Sequence, residues 1–440
     1  MSRELIRPMN APSGAVTKCA PFELGVRMLY TGIVVFFRDP LDASRLAHSL
    51  ARVLQDFSIY AGKVVSHGAE LEIQHGTGTV PFECVDSVLG IEDLERAARE
   101  GRGQMLDVRV SGLRRALGTE ALLSLKLTRA RDGNVLSIGI NHVVGDLHSL
   151  MLLIHAWSHA YVDEPWSKPT LPPDRDAYLR AHMPDPPEAQ ALVEIGSWRN
   201  LAGLVYAVNK PSKQVTLEFH TDELVALQSA LSGDRYITVN DALCAHIHCA
   251  LRRIAGKTQT TNLCLNVNYR RRVGIPDDIV GNLIGLVAQP VTADDTPKTV
   301  AAGLRTKIEQ YASKYADYQA SMRVFDAHPR LSQRMRILSS VFDPLRGDMM
   351  VSSVDRSGTR GISFGTARAS MFCPITAVTA KLPPNFMLAY DLGQRPGVAV
   401  SFTVEKKLGQ HLQSREGMEL LKGGLEKLEP GRPSSDAALG

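Results

Sequence analysis

The chain has 440 residues, of which 44% are hydrophobic and 22% are charged, a balance typical of a globular protein with room for two domains. The net charge of +4 and the dispersed basic residues argue against a nucleic-acid-binding protein. The apolar runs are too short to span a bilayer, residues 1–14 contain no apolar signal core, and the six cysteines form no C-x-x-C pair. We therefore expect a cytoplasmic protein without a membrane span or a disulfide framework.

The first 160 residues alternate predicted strands and helices. Strand-like patterns cover 29–37, 71–74, 80–85, 121–128 and 135–141. Helical spacing of apolar residues predicts helices at 43–54, at 91–102 and from 147 onward. Asp42 stands in the N-cap position of the first helix. Asp132-Gly133 predicts a hairpin between the last two strands.

The second half of the chain follows a similar order after a proline-rich connector between Asp163 and Pro187. Strands are predicted at 215–219, 262–268 and 398–404, and helices at 222–231, 239–256, 299–318 and 406–426. Thr238 and Asp241 occupy the N-cap and third positions of a helix. The tail at 429–440 is predicted to be mobile.

This order predicts the fold class and the domain boundaries. Strands and helices mixed in two similar halves indicate an α+β protein of two domains with a cleft between them, the usual place for a substrate. We place the N-terminal domain at 1–187, a crossover linker at 188–213 and the C-terminal domain at 214–440.

His142 and Asp146 are the most informative pair in the sequence. His142 follows the predicted strand 135–141, and Asp146 precedes the helix from 147, so rigid elements hold the loop between them. The same spacing recurs at His159 and Asp163, at the end of a helix with no strand before it, so we set that pair aside. A simpler interpretation also fits: His142 ends a buried strand and Asp146 only caps the helix.

Five segments in order carry a family resemblance. They are FSIYAGK at 57–63, HVVGD at 142–146, TVNDAL at 238–243, NVNYRRR at 266–272 with GN at 281–282, and SFGTA at 363–367. Together they resemble the BAHD acyl-CoA-dependent acyltransferases, which share the chloramphenicol-acetyltransferase fold. The sequence departs from the family pattern at Leu147, where the family has glycine, and at Ser363, Thr366 and Ala367. The chain therefore resembles a divergent member.

The resemblance implies two chloramphenicol-acetyltransferase-like α/β sandwich domains with an active-site tunnel at their interface. It implies acyl-CoA as co-substrate, a small-molecule alcohol or amine as acceptor, His142 as general base and no permanently bound cofactor. Asp146 would pair with Arg270 and support the loop without taking part in the chemistry. We expect a monomer.

The resemblance also points to residues that line the tunnel. They are Ile33, Val35, Phe37, Gly145, Gly365 and Thr366. Period-two alternation puts Ile33, Val35 and Phe37 on one face of the strand 29–37, and the opposite face is an equally good candidate. Both faces are apolar, so the strand predicts a largely apolar acceptor.

Other polar residues receive weaker interpretations. We expect Arg270 and Arg272 to point inward and Arg271 to be solvated, although the three arginines could also bind CoA phosphates. His155 and His159 lie four residues apart, but no glutamate follows His155 as in H-E-x-x-H, so we expect no metal site.

The chemistry needs only one strong group. A thioester is already activated, and the ordinary pKa of a histidine, about 6.5, suits a base near neutral pH. The chain contains no Gly-x-Ser-x-Gly nucleophile elbow, which favours direct attack by the acceptor. A thioester hydrolase remains an alternative, and so does a non-catalytic binding protein, prompted by Leu147 and the altered last segment.

Overall fold

The computed structural model describes residues 2–10, 14–27, 29–108, 121–354, 361–391 and 396–423. The strands within these residues are β1 (Ser2–Ile6), β2 (Val16–Lys18), β3 (Tyr30–Phe37), β4 (Lys63–His67), β5 (Glu70–Gln74), β6 (Val80–Asp86), β7 (Leu123–Ala130), β8 (Gly133–Asn141), β9 (Ser212–His220), β10 (Thr261–Asn268), β11 (Ile284–Val291), β12 (Met349–Ser353), β13 (Ser363–Phe364), β14 (Ala367–Pro374), β15 (Phe386–Asp391) and β16 (Gly397–Glu405).

The α-helices of the same residues are α1 (Glu23–Val26), α2 (Ala43–Val53), α3 (Ile91–Arg99), α4 (Leu147–Tyr161), α5 (Arg175–His182), α6 (Trp198–Asn209), α7 (Thr221–Leu231), α8 (Val239–Ile254), α9 (Arg270–Val273), α10 (Pro297–Glu309), α11 (Tyr318–Asp326), α12 (Leu331–Leu338), α13 (Ile375–Val378), α14 (Lys406–Leu412) and α15 (Arg415–Lys422). Short 3₁₀ turns cover Ser58–Ala61 and Gln104–Leu106, and a π-helical turn covers Tyr311–Tyr315.

In the described part of the chain, the strands form three sheets. The first has the order β1-β6-β7-β8-β3-β14-β13, the second β11-β10-β12-β15-β16-β9 and the third β2-β5-β4. The first sheet is antiparallel except for the β6–β7 pair. The second contains two parallel pairs, β10–β12 and β12–β15. The predicted mixed α/β architecture is confirmed.

Each large sheet has its own hydrophobic core, but the two cores do not follow a simple division of the chain. β13 and β14, from the second half of the sequence, extend the first sheet beside β3. The first core accordingly includes Phe364 and Phe372. The boundaries at 187 and 213 remain a prediction. They did not include the β13–β14 hairpin that the C-terminal half contributes to the first sheet.

Local signals placed most helix starts correctly. The Asp42 side chain accepts a hydrogen bond from the Arg45 amide at the start of α2. Thr238 and Asp241 form a reciprocal capping box at the start of α8, which satisfies two otherwise unpaired backbone donors. The two residues between β7 and β8 form the predicted hairpin turn.

Two predicted long helices are wrong, because each is interrupted. The helix predicted at 299–318 ends at Glu309, turns through the π-helical segment and resumes at Tyr318. The wide turn allows the buried Tyr311 ring to pack against Tyr269, with centroids 5.6 Å apart. The helix predicted at 406–426 divides where Ser414 caps α15. The predicted mobile tail at 429–440 lies outside the described residues.

None of the helices in the described ranges is long and apolar enough to cross a membrane.

The junction between the π turn and α11 buries Asp317, which is 8% exposed. Burial raises the pKa of its carboxyl to about 6, although the Ser321 hydroxyl donates a hydrogen bond to one oxygen at 2.8 Å. The other oxygen has no hydrogen-bond partner among the described residues. Because the folded protein holds this proton more tightly than the unfolded chain, stability is lost as the pH rises through about 6.

Replacing this carboxyl therefore stabilises the protein at neutral pH. We expect Asp317→Asn to raise the free energy of unfolding at pH 7 by an amount on the order of 2 kcal/mol, and by less at pH 5. Urea unfolding at both pH values measures this, with the exposed Asp234→Asn as the control that changes neither value. A gain that is equal at both pH values would contradict the assignment.

Candidate active site

His142 lies where the first sheet meets the second. It directly follows β8, a central strand of the first sheet, and its backbone amide donates to the Leu29 carbonyl at 2.9 Å. The side chain is only partly buried. Its Nδ1 lies 2.9 Å from Oδ1 of Asn282, which comes two residues before β11 of the second sheet. One hydrogen bond therefore joins the two sheets at the predicted base.

The partners of Asn282 determine which ring nitrogen of His142 carries a hydrogen. Asn282 Nδ2 lies 2.9 Å from Glu23 Oε1 and 2.8 Å from the His142 carbonyl oxygen. The carboxylate and the carbonyl only accept, so both take the amide hydrogens, and Asn282 Oδ1 faces the ring. Oδ1 in turn only accepts, so Nδ1 of neutral His142 must be the protonated nitrogen.

This arrangement leaves Nε2 of His142 with a free lone pair. No group of the described residues forms a hydrogen bond with Nε2. A neutral imidazole that donates through Nδ1 accepts a proton at Nε2, which is the arrangement that a general base requires.

Asp146 points away from His142 and into the protein. It caps α4 by accepting from the Ser149 amide at 2.9 Å and forms a two-point ion pair with Arg270, whose Nη1 lies 2.7 Å from Oδ2. Arg270 is 0% exposed and Asp146 is 2% exposed. The predicted pairing is present in this geometry, and so is the capping role of the simpler interpretation.

Further hydrogen bonds stabilise this buried pair. Arg270 also donates to the Ile279 carbonyl at 2.9 Å, and Asp146 accepts from the Leu283 amide at 3.1 Å. Burial alone would raise the pKa of Asp146, but the Arg270 guanidinium and the Ser149 donors hold it below its ordinary value. The carboxylate therefore stays charged and fixed.

Gly145 belongs to this support because of a close approach. A Cβ there would lie 2.7 Å from Ser149 Cβ, so any larger residue would displace the serine that binds Asp146. The role of Gly145 in a tunnel remains a prediction.

The three consecutive arginines take different positions. Arg270 is buried as expected, and Arg271 is exposed beside Asp277. Arg272 is also exposed, so the expectation that it points inward is wrong. The physical reason is the helical turn α9, in which residues two apart lie on different sides.

The apolar residues predicted for the tunnel lie in the core of the first sheet. Ile33, Val35 and Phe37 are at most 1% exposed. The Phe37 ring packs edge-on against Phe364, whose ring also contacts Trp157 of α4. These contacts are those of ordinary core residues, and a tunnel-lining role stays a prediction.

Gly365 and Thr366 are not brought to His142, and their place in a tunnel remains a prediction. They form the exposed turn between β13 and β14, near Tyr161 at the last turn of α4. Since α4 has 15 residues, its two ends lie about 21 Å apart, and His142 adjoins the other end. The altered segment 363–367 thus packs the core far from the base.

The metal-site expectation concerned His155 and His159. His159 lies 3.1 Å from Glu164 and forms part of no cluster of three ligating residues within the described ranges.

The sequence missed two charged residues that lie close to the base. Glu23 and Arg175 are 0% and 3% exposed and form an ion pair at 2.7 Å, although 152 residues separate them. Neither residue stands in a recognisable motif, and no local pattern relates them. The proximity of Asn282 to His142 was likewise not predicted, although Gly281-Asn282 had been noted.

The sequence model of the Transferase family matches residues 26–406. The chain belongs to this family, the BAHD-type acyltransferases. No curated protein matches it significantly.

Solved structures share the fold of this acyltransferase at low sequence identity. F. graminearum TRI101 in complex with coenzyme A and deoxynivalenol aligns with a TM-score of 0.74 and 16% identity, over 92% of this chain and 98% of that one. Vinorine synthase aligns with a TM-score of 0.69 and 18% identity, over 96% and 97%. The condensation domain of the Monacolin K polyketide synthase MokA aligns with a TM-score of 0.61 and 13% identity, over 94% and 98%. The predicted chloramphenicol-acetyltransferase-like fold is confirmed.

The buried pair yields a stability prediction. Asp146→Ala and Arg270→Ala should each lower the free energy of unfolding by about 3–5 kcal/mol, because each leaves one buried charge unpaired. The double variant should lose clearly less than the sum of the two. Urea unfolding of all three measures this, with the exposed neighbour Arg271→Ala as the control that loses less than about 1 kcal/mol. Simple additivity would contradict a direct pair.

Proposed function

We propose that the chain transfers an acyl group from acyl-CoA to a hydroxyl or amine of a small molecule, with His142 as the general base. The observation that carries this proposal is the hydrogen bond from Nδ1 of His142 to Asn282, which leaves Nε2 free to accept a proton. Membership of the acyltransferase family supports the reaction class. The coenzyme A bound by TRI101 supports acyl-CoA as the co-substrate.

The reaction requires one proton to be moved twice. His142 Nε2 takes the proton from the acceptor as its oxygen or nitrogen attacks the thioester carbonyl carbon. The tetrahedral intermediate then collapses, the carbon–sulfur bond breaks, and the protonated His142 returns the proton to the CoA thiolate. The products are the ester or amide and free CoA, and the histidine ends neutral.

Asp146 has a supporting role in this proposal. Its carboxylate is fully engaged by Arg270, Ser149 and the Leu283 amide, and it makes no hydrogen bond with His142 among the described contacts. It therefore fixes the start of α4 and the loop that follows His142. The transferred proton therefore passes through His142 without reaching Asp146.

We propose a largely apolar acceptor that enters a tunnel between the two domains. The apolar strand 29–37 supports this class, although its side chains are buried in the present structure. The TRI101 structures in complex with coenzyme A and deoxynivalenol or T-2 mycotoxin support a site for a small molecule together with coenzyme A. We further propose that the protein works as a monomer in the cytoplasm, a compartment that suits cysteines which form no disulfide among the described residues.

Removal of the base should abolish most of the turnover. His142→Ala should lower kcat by about 10²-fold to 10⁴-fold, the usual contribution of a positioned base, while the fold is retained. The assay follows free CoA released from several acyl-CoAs, with and without alcohols and amines. His159→Ala, which alters the histidine of the second H-x-x-x-D match, is the control and should keep wild-type activity.

Near-wild-type turnover of folded His142→Ala would exclude this residue as the base. Release of CoA at the same rate with and without an acceptor would instead identify a thioester hydrolase. No release with any donor and acceptor would favour a binding protein.

The acceptor class is tested with alcohols of similar reactivity and graded polarity. We expect kcat/KM to rise with the apolar character of the acceptor, because each hydroxyl left unpaired in an apolar tunnel costs about 1–3 kcal/mol. Highly hydroxylated acceptors such as sugars form the polar end of the series. A preference for them would overturn the apolar assignment.

A further inference from the structure

The Glu23 carboxylate receives donors on both of its oxygens. Oε1 accepts from Arg175 Nη1 at 2.7 Å and from Asn282 Nδ2 at 2.9 Å, and Oε2 accepts from the Ala20 amide at 2.8 Å. Glu23 is 0% exposed, so water does not compete for these bonds. Three separate parts of the chain therefore converge on one buried carboxylate.

One residue, Asn282, connects this carboxylate to His142. Asn282 joins the two, since its Nδ2 donates to Glu23 and its Oδ1 accepts from His142 Nδ1. Glu23 precedes residue 26, where the match to the family begins, so it lies outside the region that identifies the family.

Arg175 extends the same cluster to the loop after the base. Its guanidinium donates to the Val143 carbonyl at 2.7 Å and to the Val144 carbonyl at 2.5 Å. These are the two residues that follow His142. The Glu23–Arg175 pair thus holds the loop, and Asn282 holds the ring.

We propose that Glu23 is a positioning residue, which fixes the orientation of the Asn282 amide and thereby the ring nitrogen of His142 that carries the hydrogen. The inference rests on the proposed role of His142 as base. If Asn282 were flipped, its Oδ1 would face Glu23 Oε1 at 2.9 Å and the His142 carbonyl oxygen at 2.8 Å. The Asn282 oxygen would then face two other acceptor oxygens. Its contact with the Glu23 carboxylate would be the more repulsive of the two, because the carboxylate is charged.

The flipped state matters because it would disable the base. With Nδ2 of Asn282 directed at Nδ1, the ring would have to accept there and carry its hydrogen on Nε2. Nε2 could then no longer take the proton of the acceptor. Glu23 acts on the tautomer of His142 through Asn282 and is not itself a catalytic residue.

Two substitutions separate the possible roles of Glu23. Glu23→Gln keeps the size but places an NH₂ group against existing donors, either Ala20 or the pair of Arg175 and Asn282. When that NH₂ faces Asn282, the flipped amide becomes its natural acceptor, so the orientation is no longer fixed.

Glu23→Asp keeps the charge but withdraws the oxygens by one methylene. The long Arg175 side chain can follow the shortened carboxylate and keep the ion pair, whereas the short Asn282 side chain cannot. This variant therefore retains the buried pair and loses the contact that orients the amide, and it decides the proposal if Glu23→Gln fails to fold.

Asp348→Asn supplies the matched control. Asp348 is also 0% exposed, pairs with Arg346 at 2.9 Å and accepts from the Asn262 amide at 2.8 Å, in the second sheet and without contact with His142. Loss of this buried charge should lower the melting temperature and leave kcat unchanged.

The decisive experiment records ¹⁵N NMR of the histidine rings, with His142 assigned from the signals lost in His142→Ala, together with kcat and KM. In the wild type the hydrogen should be on Nδ1. Both Glu23 variants should show a second population with the hydrogen on Nε2, and kcat should fall by about 10-fold to 100-fold with little change in KM.

A folded Glu23→Asp that keeps the hydrogen on Nδ1 and the wild-type kcat would overturn the proposal, whatever its melting temperature. The NMR readout does not depend on turnover. Full activity of His142→Ala would therefore refute the proposed function, while the movement of the hydrogen would still decide the role of Glu23.

Discussion

The ion pair between Arg270 and Asp146 is the interaction on which the rest of the site depends. Arg270 follows β10 of the second sheet, and Asp146 caps the start of α4. The pair therefore joins the second sheet to the helix that follows the base. Taking two charges out of water is costly, and their attraction offsets that cost only when every remaining donor and acceptor is satisfied. Ser149, the Ile279 carbonyl and the Leu283 amide form most of the hydrogen bonds that the pair needs.

Charged groups position the loop of the site, and a neutral amide orients the histidine ring. Two buried ion pairs, Arg270–Asp146 and Arg175–Glu23, hold the loop 142–146 at different residues. A neutral amide, Asn282, lies between the charges and the ring and sets the direction of a single hydrogen bond. The histidine itself is left partly exposed, and its Nε2 has no partner among the described residues, which suits a group that must exchange protons.

The sequence revealed this arrangement as far as local signals reach. Caps at Asp42, Asp146 and Thr238, and the hairpin at 132–133, depend on neighbours within four residues, and such signals are short-range by nature. Such short-range signals could not predict the interruption of the helix expected at 299–318. It follows from packing of Tyr311 on Tyr269, a contact between residues distant in sequence.

The same limit explains what was missed in the site. The pairing of Asp146 with Arg270 came from a family resemblance and could not have come from spacing, since 124 residues separate them. Glu23 and Arg175 belong to none of the motifs, so nothing in the sequence drew attention to them. Gly365 and Thr366 stood in a motif but lie at the far end of α4, which shows that a motif can mark a packing requirement of the core.

A crystal structure with CoA and an apolar alcohol bound would test the central claim, that His142 presents Nε2 to both substrates, most directly. The account predicts the alcohol oxygen within about 2.6–3.2 Å of Nε2 and the CoA sulfur beside it. Asp146 should remain paired with Arg270 in that complex. A CoA sulfur bound away from His142, or an Asp146 turned toward the substrates, would contradict the account.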